Sequence, residues 1–285
     1  MTIVEPRLTY ILKKFAVLLC AIFISIPALA LADNKHPYEL GIFPHLSKSH
    51  LQRTYDAIGK NLSKNVDRNI HFDVNESITN FYRHLRNEYY DIILVQPFEY
   101  IVLAEKYGYT PLASLKAPLK ALIVTKKGGA IQNIQNLLGR KLVLPPDSTA
   151  ISYLTKKLLH DFGFNLDKDI LISHEKTHIA CLQKLLLGFT DACATFPAAL
   201  NFFERKMEVK FQVISQTLEI PHTLFAIHPR VNSNHKKVFS ESLVNWSNTP
   251  EGKAMLTSDW LMPLRHITNK EYDIVRKIKK EVDAY

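Results

Sequence analysis

Short apolar runs alternate with longer segments of helical periodicity along most of this chain, and this alternation constrains its fold more than any other feature. The candidate strands read "YELGIF", "IHFDV", "DIILVQ", "ALIVTKK", "KLVLPP", "DILIS", "DACATF", "FQVIS" and "LFAIH". Helical patterns lie between them, over residues 49–62, 77–87, 131–138, 149–162 and 179–187. Such alternation predicts an α/β fold with largely parallel strands. From His235 onward the chain is predicted to be mostly helical.

The first 32 residues predict a secretory signal peptide rather than a part of this fold. A basic start with Arg7, Lys13 and Lys14 precedes an almost wholly apolar run over residues 15–29, and Ala-Leu-Ala at 30–32 is a small-x-small cleavage site. An uncleaved membrane anchor is the less favoured alternative. The mature protein is therefore expected in the periplasm.

The charge of the chain is moderately positive, with a formal net charge of +9 at pH 7. This excess suits an anionic ligand or an anionic membrane without selecting between them. The lysines are scattered and form no stripe interleaved with aromatic residues, so the sequence does not indicate nucleic-acid binding.

Two cysteines, Cys181 and Cys193, remain once the signal peptide is removed. In an oxidising compartment they could pair, but their spacing does not require it. The sequence therefore leaves open a disulfide or two buried thiols.

Residues 174–178 read His-Glu-Lys-Thr-His, which matches the H-E-x-x-H pattern of zinc proteases. That chemistry needs both histidines on one face of a helix, together with a third ligand. Here residues 169–173 are predicted as a strand, so the motif straddles a strand-to-helix junction, and no third-ligand spacing follows. A zinc metalloprotease is thus a remote alternative, and the sequence predicts no enzyme, no metal site and no cofactor.

Two predicted strand-to-helix turns carry hydrogen-bond donors suited to an anion. Ser148 and Thr149 follow "KLVLPP" where a helix begins, so their hydroxyls and the first N–H groups of the helix converge on one point. His178 follows the strand 169–173 in the same way. Helix capping and an ordinary surface histidine are the simpler explanations. Two such turns together favour an oxyanion site.

A third stretch, "DIILVQPFEYIVLAEKYG", places Gln96, Phe98 and Tyr100 directly after a buried strand. In open α/β sheets, ligands bind outside the carboxyl ends of the strands, so these residues are candidates for one wall of a binding site. Packing of Phe98 in the core is the alternative.

Taken together, these stretches resemble the phosphate-, phosphite- and phosphonate-binding solute receptors of ABC importers, over nearly all of the chain after residue 32. The resemblance rests on the order and spacing of several segments rather than on one motif. These segments are "LGIFPHLS", "YYDIILVQPFEYIVLAEKYG", "STAISYL", "HIACLQKLLLGFTDACA", "TPEGKAMLTS" and "YDIVRKI".

This resemblance implies a two-lobed type II periplasmic-binding fold, in which each lobe is a mainly parallel sheet flanked by helices and the ligand lies in the cleft between the lobes. The expected boundaries are residues 33–125 for the first part of lobe 1, 126–219 for lobe 2 and 220–285 for the return to lobe 1.

For the site, the resemblance implies that Ser148, Thr149 and His178 donate to the oxyanion while Tyr100 lines the opposite lobe. His45 stands where the family often has another ring.

The sequence departs from the family pattern at several places, and one of them is the absence of the aromatic residue expected near residues 77–78. Ala150 and Ile151 replace a serine and a glycine, which removes a hydroxyl and hinders close approach to the backbone. Residues 194–197 contain no acid, so an ammonium-bearing phosphonate would lack its counter-charge. Phosphate, phosphite, a small phosphonate or another small oxyanion remain open.

The leading hypothesis is therefore an exported, monomeric solute-binding protein that delivers a small oxyanion to an ABC permease in the inner membrane. A periplasmic sensor that reports to a membrane receptor or kinase is the alternative, because the altered turn at 150–151 departs from the transport family.

Overall fold

The computed structural model describes residues 36–44, 48–66, 68–74, 77–255 and 263–285. The predicted signal peptide and His45 lie outside these ranges. The following description concerns the compact unit Pro37–Tyr285. In the ranges described, no helix combines the length and the apolar character needed to cross a membrane.

Strands β1 to β11 in the described ranges follow the predicted apolar runs, with two additions. They are β1 (Tyr38–Ile42), β2 (Ile70–Asp73), β3 (Ile92–Val95), β4 (Thr110–Leu115), β5 (Leu122–Lys126), β6 (Lys141–Leu144), β7 (Leu171–His174), β8 (Ala192–Thr195), β9 (Phe211–Gln216), β10 (Leu224–Ile227) and β11 (Leu264–Arg265). The sequence patterns did not predict β4 and β11.

The helices fill the intervals between the strands. They are α1 (Lys48–Lys64), α2 (Ile78–Arg86), α3 (Pro97–Tyr107), α4 (Ala150–Asp161), α5 (His178–Leu187), α6 (Pro197–Met207), α7 (Ser233–Trp246), α8 (Pro250–Met255) and α9 (Asp273–Val282). Two segments, Ile134–Leu137 and Asn269–Tyr272, form short 3-10 helices. The short helix predicted over 131–138 is therefore a single 3-10 turn. Asn133 caps its N-terminus, because the Asn133 side chain accepts a hydrogen bond from the Asn136 N–H.

The predicted α/β fold with two sheets flanked by helices is confirmed, but the sheets are mixed rather than mainly parallel, since four of the nine pairings between the described strands are parallel. One sheet has six strands in the order β11-β4-β10-β3-β1-β2, and the other has five in the order β7-β6-β8-β5-β9. Strand β1 runs parallel to β2 and β3, and β6 runs parallel to β7 and β8. The remaining pairings are antiparallel: β10 with β3 and β4, β11 with β4, and β5 with β8 and β9.

Two chain segments connect the sheets and run side by side. Residues 116–121 lead from β4 to β5, and residues 217–223 lead back from β9 to β10. The backbone N–H of Leu119 donates to the Ile220 carbonyl at 2.9 Å, and the reciprocal bond has the same length. The Thr217 hydroxyl accepts from the Ala121 N–H at 2.9 Å. The lobe boundaries proposed at 125/126 and 219/220 stay predictions.

The hydrophobic core continues from one sheet to the other. A single cluster of buried residues includes Ile93 and Val95 of β3, Leu142 and Leu144 of β6, and Ile278 of α9. Helix α9 packs against both α3 and α4, so the C-terminal helix contacts elements that follow strands of different sheets.

Cys181 and Cys193 form a disulfide that joins α5 to β8, with Cα atoms 5.8 Å apart. Both residues are fully buried. Of the two alternatives that the sequence left open, the structure has the pair bonded.

Candidate functional site

Helices α3, α4 and α5 begin a few residues or fewer after strands, and the predicted site residues in the described ranges lie at their N-terminal ends. Helix α3 follows β3 in the six-stranded sheet, while α4, α5 and α6 follow β6, β7 and β8 in the five-stranded sheet. Because β7 and β8 both run parallel to β6, the starts of α4, α5 and α6 lie at the same edge of their sheet. Helix N-termini present unpaired N–H groups and a positive dipole end, so this edge favours an anion.

The start of α4 is fixed by Thr149, whose side-chain oxygen accepts a hydrogen bond from the Ser152 N–H. The Ser152 hydroxyl in turn lies 3.0 Å from the Pro145 carbonyl and 3.1 Å from that of Pro146. Thr149 is buried, whereas the preceding Ser148 is exposed. Thr149 therefore holds the turn in place, and Ser148 is the residue whose hydroxyl is open to solvent.

Gln96 reaches from the start of α3 to the start of α4. Its side-chain oxygen accepts a hydrogen bond from the Ala150 N–H at 3.1 Å. Ala150 is the first residue of α4, so the acceptor stands where the helix offers its N-terminal donors. This contact shows that an oxygen atom coming from the side of the six-stranded sheet can bind the N-terminus of α4.

Phe98 also joins the two helices. Its ring stacks on that of Tyr153 in α4, with centroids 4.4 Å apart and planes inclined by 10°. Phe98 is almost fully buried by this contact and by the core. Phe98 thus belongs to the core cluster, and its expected place in one wall of a binding site stays a prediction.

His178 is the first residue of α5, behind the capping residue Thr177. Its Nδ1 lies 3.4 Å from the Thr195 hydroxyl, and its ring meets the Phe196 ring edge-on at 4.7 Å. Burial lowers the pKa of His178 to about 4, so the imidazole is neutral at pH 7. When Thr195 donates to Nδ1, the proton of the neutral ring resides on Nε2, which is then a hydrogen-bond donor.

Tyr100 is turned toward the C-terminal segment. Its hydroxyl donates to the Asn269 side chain at 2.8 Å, its ring contacts that of Tyr272, and it is fully buried. Burial also raises the pKa of Tyr100 to about 12. The role expected for Tyr100 as a wall of the ligand cleft stays a prediction, because the hydroxyl is engaged by Asn269.

Sequence reasoning missed Glu99 and Tyr82. The Tyr82 hydroxyl donates to Glu99, whose other carboxylate oxygen accepts from the Gln96 N–H at 3.1 Å. Burial raises the pKa of Glu99 to about 7, although both hydrogen bonds favour its ionised form. An acid three residues after the helix-capping position is a capping-box signal, which identifies Glu99 as a structural acid but not its contact with Tyr82.

The zinc-protease match does not form a zinc-protease site. His174 is the last residue of β7 and His178 is the first residue of α5, as the predicted strand-to-helix junction required. His174 Nε2 lies 3.3 Å from Asp147, and Glu175 forms an ion pair with Lys184. No group of three or more His, Cys, Asp or Glu side chains that could hold a metal ion occurs in the parts of the chain described above.

The structure thus brings together some of the predicted residues and separates others. Gln96 and Phe98 contact the α4 start beside Ser148 and Thr149, and His178 occupies the same edge of the five-stranded sheet. The Tyr100 hydroxyl bonds the Asn269 side chain rather than another predicted site residue, and His45 lies outside the described residues.

Comparison with solved structures identifies the fold as that of the type II periplasmic binding proteins. PhnD1 from Prochlorococcus marinus, solved with methylphosphonate, is 13% identical and has a TM-score of 0.71, covering 87% of this chain and 98% of its own. A binding protein component of an ABC phosphonate transporter from Pseudomonas aeruginosa is 12% identical, with a TM-score of 0.71 and coverage of 87% of each chain. The periplasmic aliphatic sulphonate binding protein SsuA from Escherichia coli is 12% identical with a TM-score of 0.60, covering 87% of this chain and 91% of its own.

The sequence also matches a family model over residues 40–272, described as "ABC transporter, phosphonate, periplasmic substrate-binding protein". The chain therefore belongs to this family of periplasmic substrate-binding proteins of ABC transporters. No curated protein matches the sequence significantly.

Proposed function

We propose that this protein captures a small phosphorus oxyanion, namely phosphate, phosphite or a phosphonate, and delivers it to an ABC permease. The observation that carries the proposal is the hydrogen bond from the Ala150 N–H to the Gln96 side chain, because it places an oxygen acceptor at the N-terminus of α4. A ligand oxygen would replace the Gln96 side-chain oxygen as the acceptor of this hydrogen bond. PhnD1, whose solved structure contains methylphosphonate, has the same fold.

The proposed donors are uncharged. They are the Ser148 hydroxyl, the Thr149 region with the first N–H groups of α4, and the neutral imidazole of His178. Hydrogen bonds from neutral donors to an ionised acceptor are stronger than neutral pairs, and exclusion of water strengthens them further. Gln96 and Phe98 would contact the ligand from the side of the six-stranded sheet, and Tyr100 and His45 remain part of the proposed site.

Binding between the sheets would stabilise a closed form that the permease recognises. The two connections at 116–121 and 217–223 are where the chain would bend. We propose that the protein acts as a monomer, and that its first 32 residues direct export. The disulfide between Cys181 and Cys193 supports an oxidising compartment such as the periplasm.

A sensor that reports to a membrane receptor or kinase is the second candidate. The alanine and isoleucine at positions 150 and 151 motivate it, since they remove a hydroxyl that the transport family has. The Ala150 N–H still donates in this structure, so this substitution leaves the backbone donor in place. Transport therefore remains the function that the site supports better.

Thermal denaturation of the exported protein with phosphate, phosphite, methylphosphonate and sulfate tests the proposal. A ligand at 100 times its Kd should stabilise the native state by about 2.7 kcal/mol, which raises Tm measurably. We expect a selective rise with at least one phosphorus oxyanion. If protein freed of carried-over ligand shows no rise in Tm with phosphate, phosphite or methylphosphonate, the proposed function is contradicted.

Substitution of Ser148 by alanine locates the site. We expect the affinity for the active oxyanion to fall about tenfold or more, because a hydrogen bond to a charged group contributes roughly 1.5–3 kcal/mol. Ser173→Ala, at an exposed serine in β7, is the matched control and should leave the affinity unchanged. Equal affinities of the two variants, measured by calorimetric titration, would remove Ser148 from the site.

A further inference from the structure

A groove of about 410 Å³ runs between the helix pair α2–α3 and the start of α4. Its lining comes from α2, α3, α4, α9 and the turn before α4. The lining residues include Tyr82, Phe98, Val102, Leu103, Ser148 and Tyr153. The groove therefore lies between elements that follow strands of different sheets, beside the proposed oxyanion donors.

The walls of the groove are mainly apolar. The stacked rings of Phe98 and Tyr153 line the groove, and Val102 and Leu103 add apolar surface from α3. The side chain of Val102 is 42% exposed, although it stands next to buried residues of the same helix. An apolar surface that faces water in this way is stabilised when a ligand covers it.

Ser148 belongs both to the groove and to the proposed oxyanion turn. It lines the groove, and it immediately precedes Thr149, the capping residue of α4. An oxyanion bound at the turn would therefore have the groove directly beside it. Three basic residues, Lys106 and Lys279 among them, also line the groove together with one acid, Glu99, so its charged groups favour an anionic ligand over a cationic one.

We propose that this groove holds the organic substituent of the ligand, so that the substrate class is an oxyanion with an apolar substituent of several carbons rather than an inorganic anion. This inference rests on the proposed function, because it takes the oxyanion to bind at Ser148 and the start of α4. The phosphonate and sulfonate head groups share the chemistry that the turn would recognise, and they are distinguished by experiment.

Calorimetric titration of the exported protein tests the inference with phosphate and with methyl-, propyl- and pentylphosphonate. Burial of one methylene group contributes about 0.8 kcal/mol, so we expect the affinity to rise about fourfold per added carbon until the groove is filled. Inorganic phosphate should bind more weakly than propylphosphonate. A parallel series of alkylsulfonates identifies the preferred head group.

Val102→Trp places a large side chain in the groove at an exposed helix position. We expect the affinity of this variant to stop rising with the length of the alkyl chain. Its affinity for pentylphosphonate should be at least tenfold below that of the wild type, while its affinity for methylphosphonate stays within about twofold. Val213→Trp is the matched control, because Val213 is similarly exposed, at 46%, and lies on β9 at an edge of the five-stranded sheet. The control should keep the chain-length dependence of the wild type.

The possible failures are distinguishable. If methylphosphonate binds but affinity does not rise with chain length, the groove proposal is overturned and the proposed function stands. The same conclusion follows if Val102→Trp weakens every ligand equally. If no phosphorus oxyanion binds, the proposed function fails. The groove proposal falls with it unless alkylsulfonates bind with an affinity that rises with chain length, which would keep the groove and change the head group.

Discussion

Glu99 shows how one side chain can link the fold to the candidate site. It accepts hydrogen bonds from Tyr82 and from the Gln96 backbone, and it lines the groove beside Ser148. Burial raises its pKa from 4.5 to about 7. Burial also lowers the pKa of His178 and of His222 from 6.5 to about 4. These shifts make the stability of the protein depend on pH in opposite directions.

Whether stability rises or falls with pH depends, for each group, on whether the folded or the unfolded state binds its proton more tightly. The folded state favours protonated Glu99, so that contribution to stability is complete below pH 4.5 and is lost as the pH rises to about 7. For the two histidines the folded state favours the neutral ring, so their contribution is complete above pH 6.5 and is lost as the pH falls toward 4. In the wild type these slopes offset each other.

Glu99→Gln removes the pH dependence of stability that comes from Glu99 and leaves that of the two histidines. We expect the free energy of unfolding of the variant to rise more steeply with pH than that of the wild type between pH 4.5 and 6.5. The difference in the free energy of unfolding between the variant and the wild type should change by up to about 3 kcal/mol between pH 4.5 and about 7. Urea denaturation at a series of pH values measures it. Glu105→Gln, an exposed acid on the same helix, is the control, and parallel curves for Glu99→Gln and the wild type would contradict the assignment.

At the scale of secondary-structure elements, the disulfide fixes α5 to β8 beside the candidate site. Helix α5 begins with His178, and β8 ends with Thr195, the residue that contacts His178. The disulfide joins these two elements within the buried core. The disulfide therefore links the two elements that carry His178 and Thr195.

Removal of the disulfide should lower stability substantially. Its two cysteines are 12 residues apart in sequence, and closing a loop of this length stabilises a folded protein by about 3 kcal/mol in the chain-entropy treatment. We expect Cys181→Ala with Cys193→Ala to lower the free energy of unfolding by about this amount. Guanidinium denaturation with and without reductant measures it. The wild type should become less stable in reductant while the double variant does not respond, and a wild type that is equally insensitive would show that the bond is absent in solution.

At the scale of the whole molecule, one of the three hydrophobic clusters in the described part of the chain spans both sheets. The cluster that contains residues of β3 and β6 also contains Val275 and Ile278 of α9. Helix α9 contacts α3 and α4, and Lys157 of α4 lies 3.1 Å from Glu281 of α9. A continuous core predicts that the sheets unfold together rather than one after the other.

Calorimetry of the ligand-free protein tests this expectation. We expect a single thermal transition in which the calorimetric and van't Hoff enthalpies agree. Ile278→Ala should lower the stability of the entire transition by about 2–5 kcal/mol, because Ile278 is 1% exposed. Ile274→Ala, in the same helix but 36% exposed, should have a clearly smaller effect. Two separate transitions would show that the sheets unfold independently.

The sequence patterns predicted most strands and helices because local periodicity reports which face of an element is buried. Strand β4 escaped prediction because it contains Pro111, a residue that usually marks the edge of a sheet. Proline is tolerated here because the pairing of β4 with β11 covers only Ser114 and Leu115. The pairing of β4 with β10 is irregular next to Pro111, where the register shifts between Phe225 and Ala226. Sequence alone could not reveal these pairings, since they join distant segments.

For the candidate site, the sequence identified the helix starts but not the partners across the two sheets. Ser148, Thr149 and His178 stand where the predicted strand-to-helix turns placed them. The contacts of Gln96 with Ala150, of Phe98 with Tyr153 and of Tyr100 with Asn269 join residues that are far apart in the chain. Burial then decided that the His178 imidazole is neutral and that the Glu99 carboxyl titrates near neutral pH.

The sequence by itself determined the α/β alternation, the positions of the helix N-termini and the family resemblance. The first two follow from residues close together in the chain, and the third follows from the order and spacing of several segments along it. The tertiary structure decided which of these ends face one another, which cysteines and hydroxyls are engaged, and where an apolar groove remains open. These outcomes depend on how sheets pack and on which groups lose contact with water, and both are set by residues that meet only when the chain is folded.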